Sequence, residues 1–88
     1  MSSSPVLTLH GAHDLSTAVA THAAMLEASA AGSLRLDLSG VESADVSFVQ
    51  LVLALRAGLE ARGDALECLA SPAVAEAFSR CGASLPAN

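Results

Sequence analysis

Two spacings of apolar side chains alternate along the chain, and each change of spacing marks a new element. Over Val6–His10, Leu7 and Leu9 fall on one side and Thr8 and His10 on the other, the two-residue period of a half-buried strand. Gly11 offers a turn, and Asp14 is placed to cap a helix. In that helix Leu15, Val19, His22 and Leu26 recur at helical spacing and predict the inward face, with Gly32 as the stop. Leu34, Leu36 and Leu38 alternate with Arg35 and Asp37, the clearest strand pattern in the chain. From Ser47 to Arg62 the period is helical again, with Phe48, Leu51, Val52, Leu55 and Leu59 on one stripe and Gly63 closing it. Ala65–Leu69 predicts a third strand with Leu66 and Cys68 inward and Glu67 outward. Ser71 as cap and Pro72 as first helical residue open a last helix, in which Val74, Phe78 and Cys81 face inward and Gly82 ends the run. No element is assigned to 83–88.

Strands separated by whole helices cannot be joined by tight turns, so they pair in parallel through crossovers. The pattern therefore predicts an α/β fold: a small mixed, mostly parallel sheet of four or so strands, with helices packed on one face. The orientation of the first strand is left open, and it can be antiparallel. The other face is expected to be wet and to carry Thr8, His10, Arg35, Asp37 and Glu67. No stretch reads as a linker, so residues 1–88 are expected to form one domain, with 1–4 as a disordered tail.

Composition narrows the partners. About half of the 88 residues are hydrophobic, which rules against disorder. The net charge is −5, there is no Lys, and Arg35, Arg56, Arg62 and Arg80 are scattered, so no basic patch exists to hold nucleic acid or an anionic membrane. The strongest apolar run, Phe48–Leu55, is too short to span a bilayer, so no direct membrane insertion is expected. The first residues lack the charged start and apolar core of a secretory signal, and a cytoplasmic location is expected. Cys68 and Cys81 are accordingly read as reduced thiols packed as small hydrophobes.

The segment between the second strand and the second helix carries the most information. It reads Asp37-Leu38-Ser39-Gly40-Val41-Glu42-Ser43-Ala44-Asp45-Val46-Ser47-Phe48-Val49-Gln50-Leu51. Here the chain resembles STAS domains, the modules of anti-sigma-factor antagonists and related bacterial regulators. In these a strand ending in Asp-Leu-Ser leads to Asp-Ser-Ser-Gly-Leu or Asp-Thr-Ala-Gly-Leu-Gln at the start of a helix. The resemblance extends over nearly the whole chain and implies a STAS-like fold. In phospho-regulated members the hydroxyl residue after the Asp accepts phosphate from a partner kinase. That position is Val46 here, which has no hydroxyl, and Phe48 stands where the family has glycine.

Each residue of this segment has a functional and a structural reading. Ser47 is the nearest hydroxyl and the candidate for phosphorylation, because a helix N-terminus tolerates added negative charge. Ser47-Phe48-Val49-Gln50 also has the form of a capping box, with Ser47 as the cap, and that reading is favoured. Asp45 is either part of a partner surface or a helix cap. Phe48 lies on the apolar stripe and is read as core before anchor. The opposite side of the helix, with Val49, Leu53, Ala54, Ala57 and Ala61, carries few charges and suggests a docking face. The candidate partner-binding set is thus Asp45, Val46, Ser47, Phe48, Val49 and Leu53.

His10, His13 and His22 match no zinc spacing, and His22 is expected on the core side of its helix. No phosphate loop, nucleophile elbow or paired acids appear, so no catalytic residue, metal or cofactor is assigned and no enzyme activity is expected. The resemblance implies a regulatory module that docks a kinase, anti-sigma factor or chemotaxis-linked partner through the segment before the second helix and that helix itself. The alternative is a constitutive accessory subunit that steadies the ATPase of a lipid-transport ABC system.

Overall fold

A computed structural model describes residues 5–86. The elements are β1 (Val6–His13), a 3-10 turn (Leu15–Thr17), α1 (Ala18–Ser29), β2 (Leu34–Ala44), α2 (Val46–Ala61), β3 (Leu66–Ala70) and α3 (Pro72–Arg80). The tail expected at 1–4 lies outside the described residues.

The described strands number three, not four or so, and lie in the order β1-β2-β3 with both pairings parallel. The first strand is therefore parallel to its neighbour. Sequential order combined with right-handed crossovers brings the helices to the same side of the sheet. Burial agrees: Leu34, Leu36 and Leu38 of β2, with Leu66 and Cys68 of β3, are buried, whereas Thr8, His10 and Arg35 are exposed and Asp37 and Glu67 half-exposed. On that open face Arg35 and Glu67 sit opposite each other in register and their side chains meet at 3.1 Å. Both are solvated, so the pair contributes little.

β1 and β2 run further than their alternation suggested. Gly11 is not a turn but lies inside β1 with φ +81°, at one of two irregularities in the β1–β2 register. Gly40 lies beside the other, where an added Cβ would come within 3.2 Å of the His10 Cβ. These two glycines let the ladder absorb its bulges and continue to the His13–Ala44 pair. Segment 39–44, which reads as a loop in the sequence, is thereby strand.

Phe48, Val52, Leu55 and Leu59 of α2 fill the centre of the core, and α3 adds Val74, Ala77 and Phe78. Cys81, expected inward, is exposed, because α3 ends at Arg80 and Gly82 turns the chain away at φ +67°. Ala83 and Leu85 pack back on the core, so order persists past α3.

The largest departure from the sequence pattern is the rotation of α1. Leu15, Val19 and Leu26, expected inward, are 75 %, 84 % and 56 % exposed, and His22 is exposed as well. The helix buries Thr21, Met25 and Ser29 instead. His13 accounts for this. Its Nε2 lies 3.1 Å from the His10 carbonyl, which can only accept, so Nε2 carries the proton. Nδ1 then accepts from the Thr21 hydroxyl at 3.2 Å. At the other end of α1, Ser29 donates to the Leu26 carbonyl, and the Arg62 guanidinium donates to the Ser29 carbonyl at 2.8 Å. The polar side can thus go in without an unpaired group, and the small side chains let α1 approach closely.

The two sides of α1 should answer oppositely to truncation. Met25→Ala, at 1 % exposure, is expected to cost about 2–5 kcal/mol. Val19→Ala should stay within roughly 0.5 kcal/mol of the parent. Urea denaturation of both variants checks this; a larger loss for Val19→Ala would contradict the observed rotation.

Candidate functional site

Parallel pairing places the carboxyl ends of β1 and β2 side by side, and each leads straight into a helical turn opened by an aspartate. Asp45 is the N-cap of α2: one of its carboxylate oxygens accepts from the backbone N–H of Ser47 at 3.0 Å and of Phe48 at 3.3 Å. The Ser47 hydroxyl donates to the same oxygen. Ser47 is therefore not the cap, as the capping-box reading had it, but sits in the first turn. With the helix beginning at Val46, the cap moves two residues back and Gln50 is left exposed. Asp45 as a cap is as the sequence suggested.

Asp14 repeats this arrangement at the end of β1. Its carboxylate accepts from the Ser16 N–H at 2.9 Å and from the Ser16 hydroxyl, while the Thr17 hydroxyl completes a capping box. A third copy lies within β2, where Asp37 accepts from the Ser39 N–H at 3.1 Å and from its hydroxyl. The triplets Asp14-Leu15-Ser16, Asp37-Leu38-Ser39 and Asp45-Val46-Ser47 are three instances of one side-chain turn. In the sequence this turn is written as a repeated Asp-aliphatic-Ser, a local signal independent of the helical and strand periods.

These hydrogen bonds hold all three carboxyls below the usual range. For Asp45 the Ser47 hydroxyl is the main cause, opposed by desolvation and helped by the N–H groups of Phe48, Ser47 and Leu15. For Asp14 the Ser16 hydroxyl dominates, and the nearby Asp45 charge works against it. Asp37 owes its shift first to the Ser39 hydroxyl. The β1–α1 and β2–α2 connections thus bring two ionised carboxylates near each other at one end of the sheet, a poor place to add an anion.

The candidate side chains divide by accessibility. Phe48, at 2 % exposure, and Val49 are buried and offer no surface to a partner; Phe48 packs against the His13 ring at a centroid distance of 5.0 Å, the two planes tilted by 45°. Val49 belongs to the core and not to the outer face on which its spacing placed it, because that flank of α2 is covered. Val46 is 57 % exposed, Asp45, Ser47 and Leu53 are half-buried, and Ala54, Ala57 and Ala61 are exposed. A shallow hollow lies between Asp45 and Val46 on one side and Ala77, Arg80 and Cys81 on the other. The histidines do not converge: His13 is buried in structural hydrogen bonds, while His10 and His22 are exposed. Among the described residues no group of three His, Cys, Asp or Glu is placed to hold a metal, and no helix is long and apolar enough to cross a membrane.

Two measurements follow from this geometry. A lowered carboxyl pKa contributes stability above the ordinary value of 3.8 and loses it as pH falls through the lowered one. Asp45→Asn keeps a capping oxygen but removes the titration, so its melting temperature should fall less steeply than the parent's between about pH 5 and 2. Asp45→Ala should lower the melting temperature at neutral pH, which Asp45→Asn should largely preserve. The thiols should separate too, since burial pushes Cys68 up to about 12. An aromatic disulfide reagent should titrate Cys81 alone in the native protein and Cys68 only after unfolding.

The family profile described as "Mlab, STAS domain" matches residues 1–84. Comparisons with curated proteins and with solved structures returned no match. STAS domains are non-catalytic regulatory modules that generally bind protein partners. With a match over nearly all of its length, and with the Asp-Leu-Ser strand running on to an aspartate-capped α2, the chain belongs to the STAS domain family.

Proposed function

We propose that this protein docks a bacterial regulatory partner, a kinase, anti-sigma factor or chemotaxis-linked component, through the start and outer side of α2, in the cytoplasm and without a phosphate switch. The observation that carries this reading is the exposure of Val46. It stands first in α2 beside an ionised Asp45, in the position where phospho-regulated relatives present a hydroxyl. Val46, Gln50, Leu53 and Ala57 follow one another at helical spacing and leave an uncharged stripe along the helix. Asp45 and Ser47 shape its beginning, and Phe48 and Val49 anchor the helix from below.

Ser47 is poorly placed as a substitute phosphoacceptor. Its hydroxyl is engaged by Asp45, and a phosphate would bring nearly two negative charges beside that carboxylate, with Asp14 close by. The same feature favours the second reading, a constitutive accessory subunit holding the ATPase of a lipid-transport ABC system, since such a subunit needs no switch.

The test is affinity capture of the tagged protein from its native host with crosslinking mass spectrometry, repeated with Val46→Arg and Leu53→Asp. Both variants should remain folded by circular dichroism and weaken capture of the partner about tenfold or more. Retention of the partner by both would contradict docking through α2. The partner's identity separates the two readings. Intact-mass analysis should find no phosphate, and a stoichiometric phosphate on Ser47 would overturn the unswitched mechanism.

A further inference from the structure

We infer that this chain pairs with a second copy of itself, α1 against α1 in antiparallel sense, each copy placing Val19 in the groove that the other forms between α1 and α2. The rotation of α1 leaves Val19 exposed on the outer side of the helix, together with Leu15 and Leu26. Beside the later turns of the same helix runs a groove of about 170 Å³, with His22 and Leu26 on one wall, Ala54 and Gly58 on the other, and Met25 and Leu59 at its floor. Gly58 has open space where a Cβ would stand, so the α2 wall is low. A cavity of about 150 Å³ holds a benzene-sized group, so this one has room for a valine side chain. Val19 precedes His22 by three positions, and the groove lies beside Met25 and Leu26, three and four positions after it. A two-fold axis at His22 therefore brings each Val19 to the other copy's groove.

Charge selects the same occupant. The groove is lined by Arg62 and by no acid. Arg62 marks the end near Ser29, whose carbonyl it holds at 2.8 Å, and its side chain stays half-exposed although Asp64 lies 3.4 Å away. The complement is an apolar helix face with a carboxylate at that end. The start of α1 has this form: Val19 and Leu15 are exposed and apolar, and Asp14 at its head is exposed, held ionised and without an arginine among the described residues. Asp14 stands eight positions before His22 and Ser29 seven after it, so the same axis sets Asp14 of each copy against Arg62 of the other. Repulsion opposes this little, because Glu27 is the only charged side chain of α1 and salt screens the remaining charge beyond about 8 Å. The face from Leu15 to Ser29 is roughly 22 Å long and two helices, roughly 20 Å, wide, the size that weak, reversible pairs bury. Dilute protein is therefore monomeric, and the outer side of α1 is then bare.

This pairing uses α1 and the flank of α2 beside it, a different surface from the Val46–Leu53 stripe. Sedimentation velocity of the whole chain from micromolar to millimolar concentration should show a reversible monomer–dimer equilibrium. Val19→Glu alters an exposed side chain, so it should keep the fold by circular dichroism and raise the dimer dissociation constant about tenfold or more. Asp14→Arg and Arg62→Asp each set like charges against one another twice across the axis, and each alone should weaken pairing. Mixed in equal amounts they should form a heterodimer, because both pairs across the axis then match again, an outcome that loss of a cap or of an internal ion pair does not produce. If either charge variant does not fold, His22→Cys in a Cys81→Ser background decides instead. An oxidant should then join two copies through position 22, which lies on the axis, whereas Ala30→Cys in the same background should not crosslink. A monomer at every concentration, a dimer that Val19→Glu leaves intact, folded charge variants that stay apart when mixed, or crosslinking at position 30 and not at 22 would each overturn the inference.

Discussion

The His13 ring fixes how α1 sits on the sheet. A buried imidazole must satisfy both nitrogens, and the end of β1 supplies only one partner, the His10 carbonyl at 3.1 Å. The second, the Thr21 hydroxyl, has to come from α1, and meeting that need turns Thr21 inward together with Met25 and Ser29, one and two turns further along. The same ring packs on Phe48, and the His13 carbonyl accepts the Asp45 N–H at 3.2 Å, so one residue ties the end of β1 to α1 and to the start of α2. Both aspartate-headed turns are thereby held against a common pivot, and the apolar stripe of α1 is left in water.

Much of this fold was legible in the sequence because burial and period coincide there. Leu34, Leu36 and Leu38 alternate with polar neighbours on a sheet that really is covered on one face, and Phe48, Val52, Leu55 and Leu59 mark a helix centred over it. The orientation of α1 was not legible. Its Leu and Val residues lie on one side and its Thr, Met and Ser residues on another, and hydrophobicity alone chooses the first. A hydrogen bond to a histidine eight residues away in sequence chooses the second. Gly11 and Gly40 misled for a related reason: glycine marks a bulge as readily as a turn, and only the neighbouring strand decides which.

At the site, the sequence identified Asp45 and the helix start but assigned the cap to Ser47 as well. Two capping patterns overlap there, Asp45 with the two residues after Val46 and Ser47 with Gln50, and helix propensity does not rank them. The carboxylate prevails by accepting two backbone N–H groups and the Ser47 hydroxyl together. That arrangement gives the family's regulatory position a different character in this chain. Where a phosphorylatable residue would present a hydroxyl, an aliphatic side chain projects, and the nearest hydroxyl is engaged by a neighbouring acid.

The fold depends on α1 showing its leucine and valine side chains to solvent and its threonine, methionine and serine to the core. Methyl-labelled protein in a soluble gadolinium chelate measures this directly, because the chelate broadens each methyl according to its distance from water. Strong broadening of Leu15, Val19 and Leu26 with protection of Met25 matching that of Leu36 is the result predicted. Protected Val19 and Leu26 beside a broadened Met25 would reverse the helix and contradict the His13–Thr21 pivot.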